Sequence, residues 1–267
     1  MTEKEQQSEF YEPSLETMSR DERENYLNEK IRWIVQYGYQ NAPAVKAKFD
    51  RAGVTPEKIR TLSDLEKLPV TRKDDLIELQ KANPPLGGFL AAPIGSLRRI
   101  YMSPGPIYEP ERVGPDPSYS AKALYAAGFR KGDLVLVTFS YHMVGGGHWF
   151  DAALEALGAV AIPTGTGNTE LQVQIMHDLK VTGICTTPSF LMTILSKAEE
   201  MGYDVRRDFA LKHAYFIAEM LPPSLRRVFE QDYGISTAQA YGISDVSIIA
   251  YECKQKSGMH IVEQVAV

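Results

Sequence analysis

Residues 134–139 read Leu-Val-Leu-Val-Thr-Phe, and this apolar run opens the part of the chain that decides the fold. Its length and its β-branched content are typical of a strand that is buried on both faces. A helical pattern at 148–157 and a second apolar strand at 159–162 follow it. A strand, a helix and a strand joined by short turns with Gly and Pro predict a right-handed crossover between parallel strands.

The same alternation extends along the chain. Further strands are predicted at 183–187 and 213–217, and further helices at 118–128, 171–179, 190–201 and 223–233. Residues 238–246 read Ala-Gln-Ala-Tyr-Gly-Ile-Ser-Asp-Val, which predicts a strand entering a tight turn at Gly242, followed by a second apolar strand. A plain hairpin with a solvated Asp is the simpler interpretation of this stretch. The whole pattern predicts an α/β fold with a mainly parallel sheet flanked by helices.

The first third of the chain is helical and charged instead. Ser19 and Glu22 have the spacing of a capping box at a helix start, and apolar residues recur after them at close to helical period. The composition changes at residues 83–88, which read Asn-Pro-Pro-Leu-Gly-Gly. We therefore predict a helical N-terminal segment over residues 1–82 and an α/β domain over residues 83–267.

Composition and charge argue against several classes of partner. The chain has 267 residues and a net charge of −5, which does not indicate a nucleic-acid surface. The two cysteines, Cys185 and Cys253, do not form a disulfide framework and predict a cytoplasmic protein. No apolar run reaches the roughly 18 residues that a membrane span needs, so no membrane partner is expected. The oligomeric state is open, with a homodimer as one alternative.

Loops at the carboxyl ends of the strands are the predicted ligand site, because open α/β sheets bind ligands at that edge. Each loop mixes small residues with one or two polar ones, as a cleft with close backbone contact requires. The loops lie at 140–147, 164–169, 187–189, 218–220 and 241–245.

Several features of these loops have two interpretations each. The glycines at 145–147 can offer backbone N–H groups to an anion or can let a helix pack closely on the sheet. Glu219 follows a buried strand, where a carboxylate is expected to be paired or functional. Cys253 and His260 can share a metal, although a structural zinc site normally takes four ligands. The nucleophile elbow of a Ser-His-Asp hydrolase is absent.

In order along the chain, a set of motifs resembles the phenylacetate–CoA ligase branch of the adenylate-forming enzymes. Residues 241–245, Tyr-Gly-Ile-Ser-Asp, are similar to that branch's Tyr-Gly-Leu-Thr/Ser-Glu, and residues 218–219 stand where it has Gly-Ala-Glu-Pro. Further similar segments lie at 60–76, 165–170, 185–190, 251–253 and 258–261. The resemblance implies the N-terminal domain of such an enzyme, incomplete at its C-terminus.

The resemblance also implies a reaction and its cofactors. ATP and a carboxylate, with an aromatic acid as one alternative, give an acyl-adenylate and pyrophosphate, and CoA then displaces AMP. The implied cofactors are therefore ATP, Mg²⁺ and CoA. The resemblance places Asp245 on the Mg²⁺ and Ser244 facing phosphate, and these two are the implied catalytic residues. It places Ala218, Glu219, Ala240, Tyr241 and Gly242 at the nucleotide, and Tyr141, Val144, Gly146, Gly147 and Ile243 around the acyl group.

Three departures from the family pattern bear on activity. Residues 102–110 replace a phosphate loop rich in Ser, Thr and Gly, and their prolines have no N–H to donate. Glu109 adds negative charge there, and Asp245 is one methylene shorter than the family's Glu. The sequence stops at Val267, before the family's C-terminal lid, so we expect poor turnover by this chain alone. At Val144 the family commonly has a larger aromatic residue, which implies an altered acyl pocket.

Two other functions are alternatives to the ligase. One is a non-catalytic adenylation-like domain that binds an acyl group, an acyl-CoA or a protein partner, and the proline-rich segment favours it. The other is a nicotinamide-dependent oxidoreductase, which requires a Gly-x-Gly-x-x-Gly fingerprint after the first strand and an acidic residue further on. That fingerprint is not convincing in this sequence, whereas the 241–245 segment favours the ligase.

Overall fold

The structure, a computed structural model, describes residues 9–114 and 119–266. The chain divides into two compact units, which we call the α/β unit (residues 9–16 and 119–266) and the helical unit (residues 17–114). The division along the chain therefore falls after residue 114. The predicted domain boundary at residue 83 stays a prediction. Residues 1–8 of the predicted N-terminal segment and Val267 of the predicted α/β domain lie outside the described residues.

The helical unit contains three α-helices, three short 3-10 helices and one β-hairpin. The capping box predicted at Ser19 and Glu22 is present and starts the first of these helices. The α-helices are α2 (Arg20–Asn41), α3 (Pro43–Ala52) and α4 (Asp75–Ala82), the 3-10 helices are Pro56–Lys58, Leu62–Lys67 and Ile94–Ser96, and the strands are β1 (Leu97–Ser103) and β2 (Ile107–Arg112). The core of the unit is formed by Ile31, Val35, Phe49 and Ile59.

The hairpin of the helical unit contains the proline-rich segment. β1 and β2 pair in antiparallel fashion, and Pro104 and Pro106 lie in the turn between them. Glu109 is buried in β2, where Lys73 donates to it at 3.2 Å. Gln80 of α4 also bonds both backbone groups of Tyr108, at 2.8 and 2.9 Å. The charge of Glu109 is therefore balanced within the unit, and the hairpin is anchored to α4.

The α/β unit is built on a seven-stranded sheet in the order β4-β3-β5-β6-β7-β8-β9. The strands from β4 to β7 pair in parallel, and the β7–β8 and β8–β9 pairs are antiparallel. This confirms the predicted α/β class with a mainly parallel sheet. The strands are β3 (Leu134–Val137), β4 (Val160–Ile162), β5 (Gly183–Thr186), β6 (His213–Phe216), β7 (Ser236–Ile243), β8 (Ser247–Tyr251) and β9 (His260–Ile261).

Helices cover both faces of this sheet. They are α1 (Pro13–Glu16), α5 (Tyr119–Ala127), α6 (Gly146–Leu157), α7 (Thr169–Asp178), α8 (Pro188–Glu200), α9 (Val205–Asp208) and α10 (Pro223–Arg227), and a π-helical turn, Val228–Asp232, continues α10. The helix predicted at 223–233 is thus a short α-helix with a wider final turn. No helix in the described ranges is long and apolar enough to cross a membrane.

The side chains of successive residues in the parallel strands pack into two different hydrophobic cores. Val135, Val137 and Tyr215 pack with residues of α5 and α6, whereas Leu136 and Phe216 pack with residues of α7 and α8. A strand alternates its side chains between faces, so burial of both faces requires an unbroken apolar run. This explains why the strands are visible in the sequence as short continuous apolar segments.

The chain differs from the sequence prediction at the β7–β8 hairpin. β7 continues through Gly242 to Ile243, and the turn consists of Ser244 to Val246. The pairing register shifts between Tyr241 and Gly242, which marks a bulge inside the strand. The predicted turn at Gly242 is therefore wrong. The glycine instead allows close approach of two strands, a use of Gly that local sequence does not distinguish from a turn.

Tyr215 gives the first testable prediction. Its ring is fully buried between Phe129 and Phe150, and among the described residues its hydroxyl has no hydrogen-bond partner. Burial raises the pKa of this phenol well above its usual value, so it stays neutral. A buried hydroxyl without a partner is unfavourable, so Tyr215→Phe is expected to keep or raise the free energy of unfolding, by about 1 kcal/mol. Urea unfolding measures it.

The matched control for Tyr215→Phe is Tyr233→Phe. The Tyr233 hydroxyl donates to Glu199 at 2.9 Å, so its removal is expected to lower the free energy of unfolding by about 0.5–1.5 kcal/mol. A comparable loss in Tyr215→Phe would show that the buried hydroxyl makes a favourable contact after all.

Candidate functional site

The carboxyl ends of the parallel strands meet at one edge of the α/β unit. Thr138 and Thr186 lie directly after β3 and at the end of β5, and their buried hydroxyls hydrogen-bond at 2.8 Å. The next residues along the chain leave the sheet from this edge in loops. The predicted ligand loops therefore start from fixed strand ends, as the crevice of an open α/β sheet requires.

A cavity of about 220 Å³ lies at this edge. Its wall is mostly apolar and aromatic, with three serines. It is lined by Ser120, Phe139, Gly146, Trp149, Phe150, Ile217, Ala218, Gly242, Ile243, Ser244, Ser247 and Ile248. Gly146, Ala218, Gly242, Ile243 and Ser244 are predicted site residues, and the fold brings these five together.

One wall comes from the segment between β3 and α6. Phe139 and Phe150 stack with ring centroids 5.2 Å apart, and Trp149 lies beside them in the wall. A Cβ on Gly145 would lie 2.4 Å from the Trp149 ring, and one on Gly147 would lie 2.7 Å from the Tyr141 ring. These glycines leave room for two aromatic rings. These rings belong to α6 itself and to the loop before it, so both interpretations of the glycines, an anion site and close packing of the helix on the sheet, stay predictions.

The opposite wall is the β7–β8 hairpin. A Cβ on Gly242 would lie 2.5 Å from the backbone oxygen of Ser247, so no side chain fits between the strands at this point. Ser247 follows the turn with φ of 66°, a left-handed conformation that residues with a side chain rarely adopt. The hydroxyl of Ser247 lies 3.3 Å from that of Ser120 on α5.

Three of the predicted acyl-pocket residues lie in the same segment but not in the cavity wall. The Tyr141 hydroxyl donates to Asp151 at 2.6 Å, and burial together with this bond raises the pKa of the phenol. Its ring lies against Gly147, and Val144 is half-buried in the loop. The assignment of Tyr141, Val144 and Gly147 to the acyl group stays a prediction, as does the altered pocket at Val144.

Of the predicted nucleotide residues, Ala218 and Gly242 line the cavity, and Glu219, Ala240 and Tyr241 are their neighbours along the chain. Ala218 has φ of 74°, an unusual conformation for a residue with a side chain, and Glu219 accepts two bonds from Ser189, at 2.8 and 3.2 Å. In β7, Tyr241 is 59% exposed, whereas Ala240 is buried. Glu219 is thus a paired and exposed carboxylate, which satisfies one of the two expectations for it.

Asp245 lies at the turn of the hairpin and is exposed. Its assignment to Mg²⁺ stays a prediction, as does that of Ser244 to phosphate. Within the described residues, His, Cys, Asp and Glu side chains form no group of three or more that can hold a metal ion. Cys253 and His260 therefore have no evident third ligand there.

Seven wall residues were not predicted from the sequence. Trp149 and Phe150 lie one turn beyond Gly146 on α6, so helical spacing from the glycines is a signal that points to them. Phe139 and Ile217 are the last residues of predicted strands, which is a weaker signal. No local sequence signal marks the other three wall residues, Ser120, Ser247 and Ile248. They become part of the wall only because α5 packs against β8.

A cavity of this character at the carboxyl edge of a parallel sheet is typical of α/β domains that bind small, largely apolar molecules. The family model of the AMP-binding enzymes matches residues 118–263. The chain belongs to this family, and the resemblance to adenylate-forming enzymes is thereby confirmed.

Curated relatives narrow the branch of the family. The chain is 34% identical over 248 residues to phenylacetate-coenzyme A ligase of Aromatoleum evansii, covering 90% of this chain and 55% of the relative. It is 30% identical over 264 residues to the protein of the same name from Thermus thermophilus, covering 95% of this chain and 58% of that one. The chain thus spans a little over half the length of these relatives.

Solved structures of a CoA ligase have the same fold as this chain. An open form of 2-hydroxyisobutyryl-CoA ligase, in complex with 2-HIB-AMP and CoA, superposes with a TM-score of 0.87 and 26% identity, over 95% of this chain and 57% of that one. The same ligase in its thioesterification state gives a TM-score of 0.85. The fold is therefore that of the N-terminal part of an adenylate-forming CoA ligase.

Proposed function

We propose that this chain is the acid- and nucleotide-binding part of an AMP-forming aryl- or acyl-CoA ligase. Such a protein converts a carboxylic acid, ATP and CoA into an acyl-CoA through an acyl-adenylate. The observation that carries the proposal is the apolar cavity beside the β7–β8 hairpin, at the carboxyl edge of the sheet, where open α/β sheets bind ligands. The names of the curated relatives support an aromatic acid as the substrate.

The cavity supports the acyl part of this proposal. The rings of Phe139, Trp149 and Phe150 offer faces and edges to an aromatic group, an arrangement that favours ring–ring contact. Gly146 and Ile243 add small and aliphatic surface beside them. An acid whose carboxylate points out of the cavity keeps its charge in water while its apolar part is buried.

For the nucleotide, we propose the surface formed by Ala218, Glu219 and residues 240–242. The exposed ring of Tyr241 is available to lie against a purine, and small residues beside it let a ligand approach the backbone. Ser244 and Asp245 at the turn are proposed to face the phosphates. A carboxylate is the hard oxygen ligand that Mg²⁺ prefers, which fits Asp245 as its holder.

The proposed cofactors are ATP, Mg²⁺ and CoA. When bound, Mg²⁺ neutralises phosphate charge and so favours attack by a carboxylate at the α-phosphorus. The residues of this chain contribute by orienting the acid and excluding water from its apolar part. Calorimetry of the chain with a non-hydrolysable acyl-AMP analogue tests the proposal. Binding in the micromolar range supports it, and no detectable binding at millimolar analogue contradicts it.

Asp245→Ala is expected to weaken binding of Mg·ATP by about tenfold or more, because a charge-assisted contact contributes about 1.5–3 kcal/mol. Affinity for the acyl-AMP analogue, measured without Mg²⁺, is expected to stay within about twofold. The control is Asp178→Ala, whose carboxylate is exposed on α7. Equal loss of affinity for both ligands would assign Asp245 to the general shape of the site and not to the metal.

A specific observation favours a second function, a non-catalytic domain that binds an acyl group or an acyl-CoA. The segment that corresponds to the family's phosphate loop is a hairpin turn with Pro104 and Pro106, which have no N–H to donate to phosphate. Binding of an acyl-CoA without measurable binding of ATP in the calorimetric experiment would support this alternative.

A further inference from the structure

Ser120 and Ser247 form a hydroxyl pair in the cavity wall that the proposed ligase chemistry does not use. Their oxygens are 3.3 Å apart, and Ser120 is only 4% exposed. The rest of the wall is aromatic, aliphatic or glycine, apart from Ser244 at the turn and the Trp149 indole. The hydrogen bond between the two hydroxyls offsets part of the cost of placing them in such surroundings.

The pair has unused hydrogen-bonding capacity. Each hydroxyl carries one donor and two acceptor sites, and the bond between them uses one donor and one acceptor. Within the described part of the chain no other hydrogen bond to either hydroxyl is present. One O–H donor and several acceptor positions therefore remain for a ligand in the cavity.

The backbone of Ser247 supports a role for its side chain. Ser247, the first residue of β8, has φ of 66°, in the left-handed region that glycine adopts without strain. A residue with a side chain is disfavoured there. Backbone strain of this kind clusters at ligand sites, which agrees with a binding role for Ser247.

The volume limits the size of the ligand. A cavity of about 150 Å³ in another protein binds benzene, so 220 Å³ admits a single ring with a short side chain and a small substituent. A charged substituent on the ring is disfavoured inside the cavity, because none of the described lining residues carries a charged side chain and the substituent would be buried without a counter-ion.

We propose that Ser120 and Ser247 are specificity-determining residues that select an acid whose ring carries a neutral hydrogen-bonding substituent, such as a hydroxyl. The substituent accepts from the free donor of the pair or donates to one of its oxygens. This inference rests on the proposed function, since it assumes that the cavity holds the acyl group of a carboxylic acid.

Trp149 provides a direct measurement. The chain has two tryptophans, so Trp33→Phe leaves the cavity tryptophan as the single emitter. In this background, fluorescence titrations compare phenylacetate with the ortho, meta and para isomers of hydroxyphenylacetate. At least one isomer is expected to bind about three- to tenfold more tightly than phenylacetate, the ratio that one hydrogen bond supplies.

Ser120→Ala and Ser247→Ala are each expected to reduce this ratio to about one, with little change in the affinity for phenylacetate. Ser247→Gly removes the hydroxyl and the backbone strain together, so it is expected to lose the ratio while keeping or raising the melting temperature. The binding ratio and the melting temperature of Ser247→Gly together separate a binding role of the hydroxyl from a structural role. The control is Ser257→Ala, an exposed serine whose replacement is expected to leave the ratio unchanged.

Two results would overturn the inference. If phenylacetate binds but no hydroxylated isomer binds more tightly, or if the ratio survives in the folded serine variants, the hydroxyl pair does not select the substrate, and the proposed function stands. If neither phenylacetate nor any isomer changes the Trp149 emission, the cavity does not bind such acids. That result contradicts the proposed acyl site and the inference together.

Discussion

Glu252→Ala is expected to lower the free energy of unfolding by up to about 3–5 kcal/mol, because it removes the nearer counter-ion of the partly buried Arg226 guanidinium and leaves only Glu230, at 3.9 Å. Both oxygens of Glu252 accept from Nη2 of Arg226, at 2.9 and 2.8 Å. The carboxylate side chain is only 7% exposed, and the guanidinium side chain is 19% exposed. Urea unfolding followed by circular dichroism measures the loss.

Hydrogen bonds connect Glu252 with the loop that forms part of the proposed nucleotide site. Gln239 donates to Glu252 from its backbone at 3.2 Å and from its side chain at 3.0 Å. The Gln239 side chain in turn accepts from the backbone N–H of Leu221 at 2.9 Å. Because Leu221 ends the loop that holds Ala218 and Glu219, we expect Glu252→Ala to weaken nucleotide binding as well.

The control for Glu252→Ala is Glu200→Ala. Glu200 pairs with Lys197 on the exposed face of α8, where such a pair contributes less than about 1 kcal/mol. The double variant Arg226→Ala/Glu252→Ala is expected to be more stable than the sum of the single losses predicts, because it leaves no unpaired charge. Additive losses in this cycle would contradict the assigned ion pair.

Gly242→Ala has the second large expected effect. The added methyl group would lie 2.5 Å from the backbone oxygen of Ser247, which cannot move without opening the β7–β8 pair. Overpacking of this kind lowers the free energy of unfolding by about 1–3 kcal/mol. Gly242 and Ser247 both line the cavity, so we also expect at least tenfold weaker binding of the acyl-AMP analogue. Urea unfolding and calorimetry measure the two effects.

Gly95→Ala is the matched control for this substitution. A Cβ at Gly95 meets no atom within 4 Å and its φ is not positive, so the free energy of unfolding is expected to change by less than about 1 kcal/mol. Unchanged ligand affinity in a folded Gly242→Ala variant would show that the hairpin does not form a wall of the binding site.

Local sequence was sufficient for most of the helices and strands of the α/β unit. Central strands such as β3 are short unbroken apolar runs because both of their faces are buried, and the longer helices have clear start and stop residues. The capping box at Ser19 was likewise predictable, since its two bonds join residues three positions apart. The turn at Gly242 was predicted wrongly, because a glycine in a turn and a glycine at a bulge have the same local sequence.

The sequence by itself determined the α/β class, the family and the order of the ligand loops, because periodicity and motifs are properties of neighbouring residues. Only the tertiary structure decided which side chains form the cavity. Ser120 and Ser247 are 127 positions apart, and packing of α5 against β8 brings their hydroxyls together. The pairing of Glu252 with Arg226 arises in the same way. Contacts of this kind depend on the packing of elements that are distant in the chain, which no local pattern records.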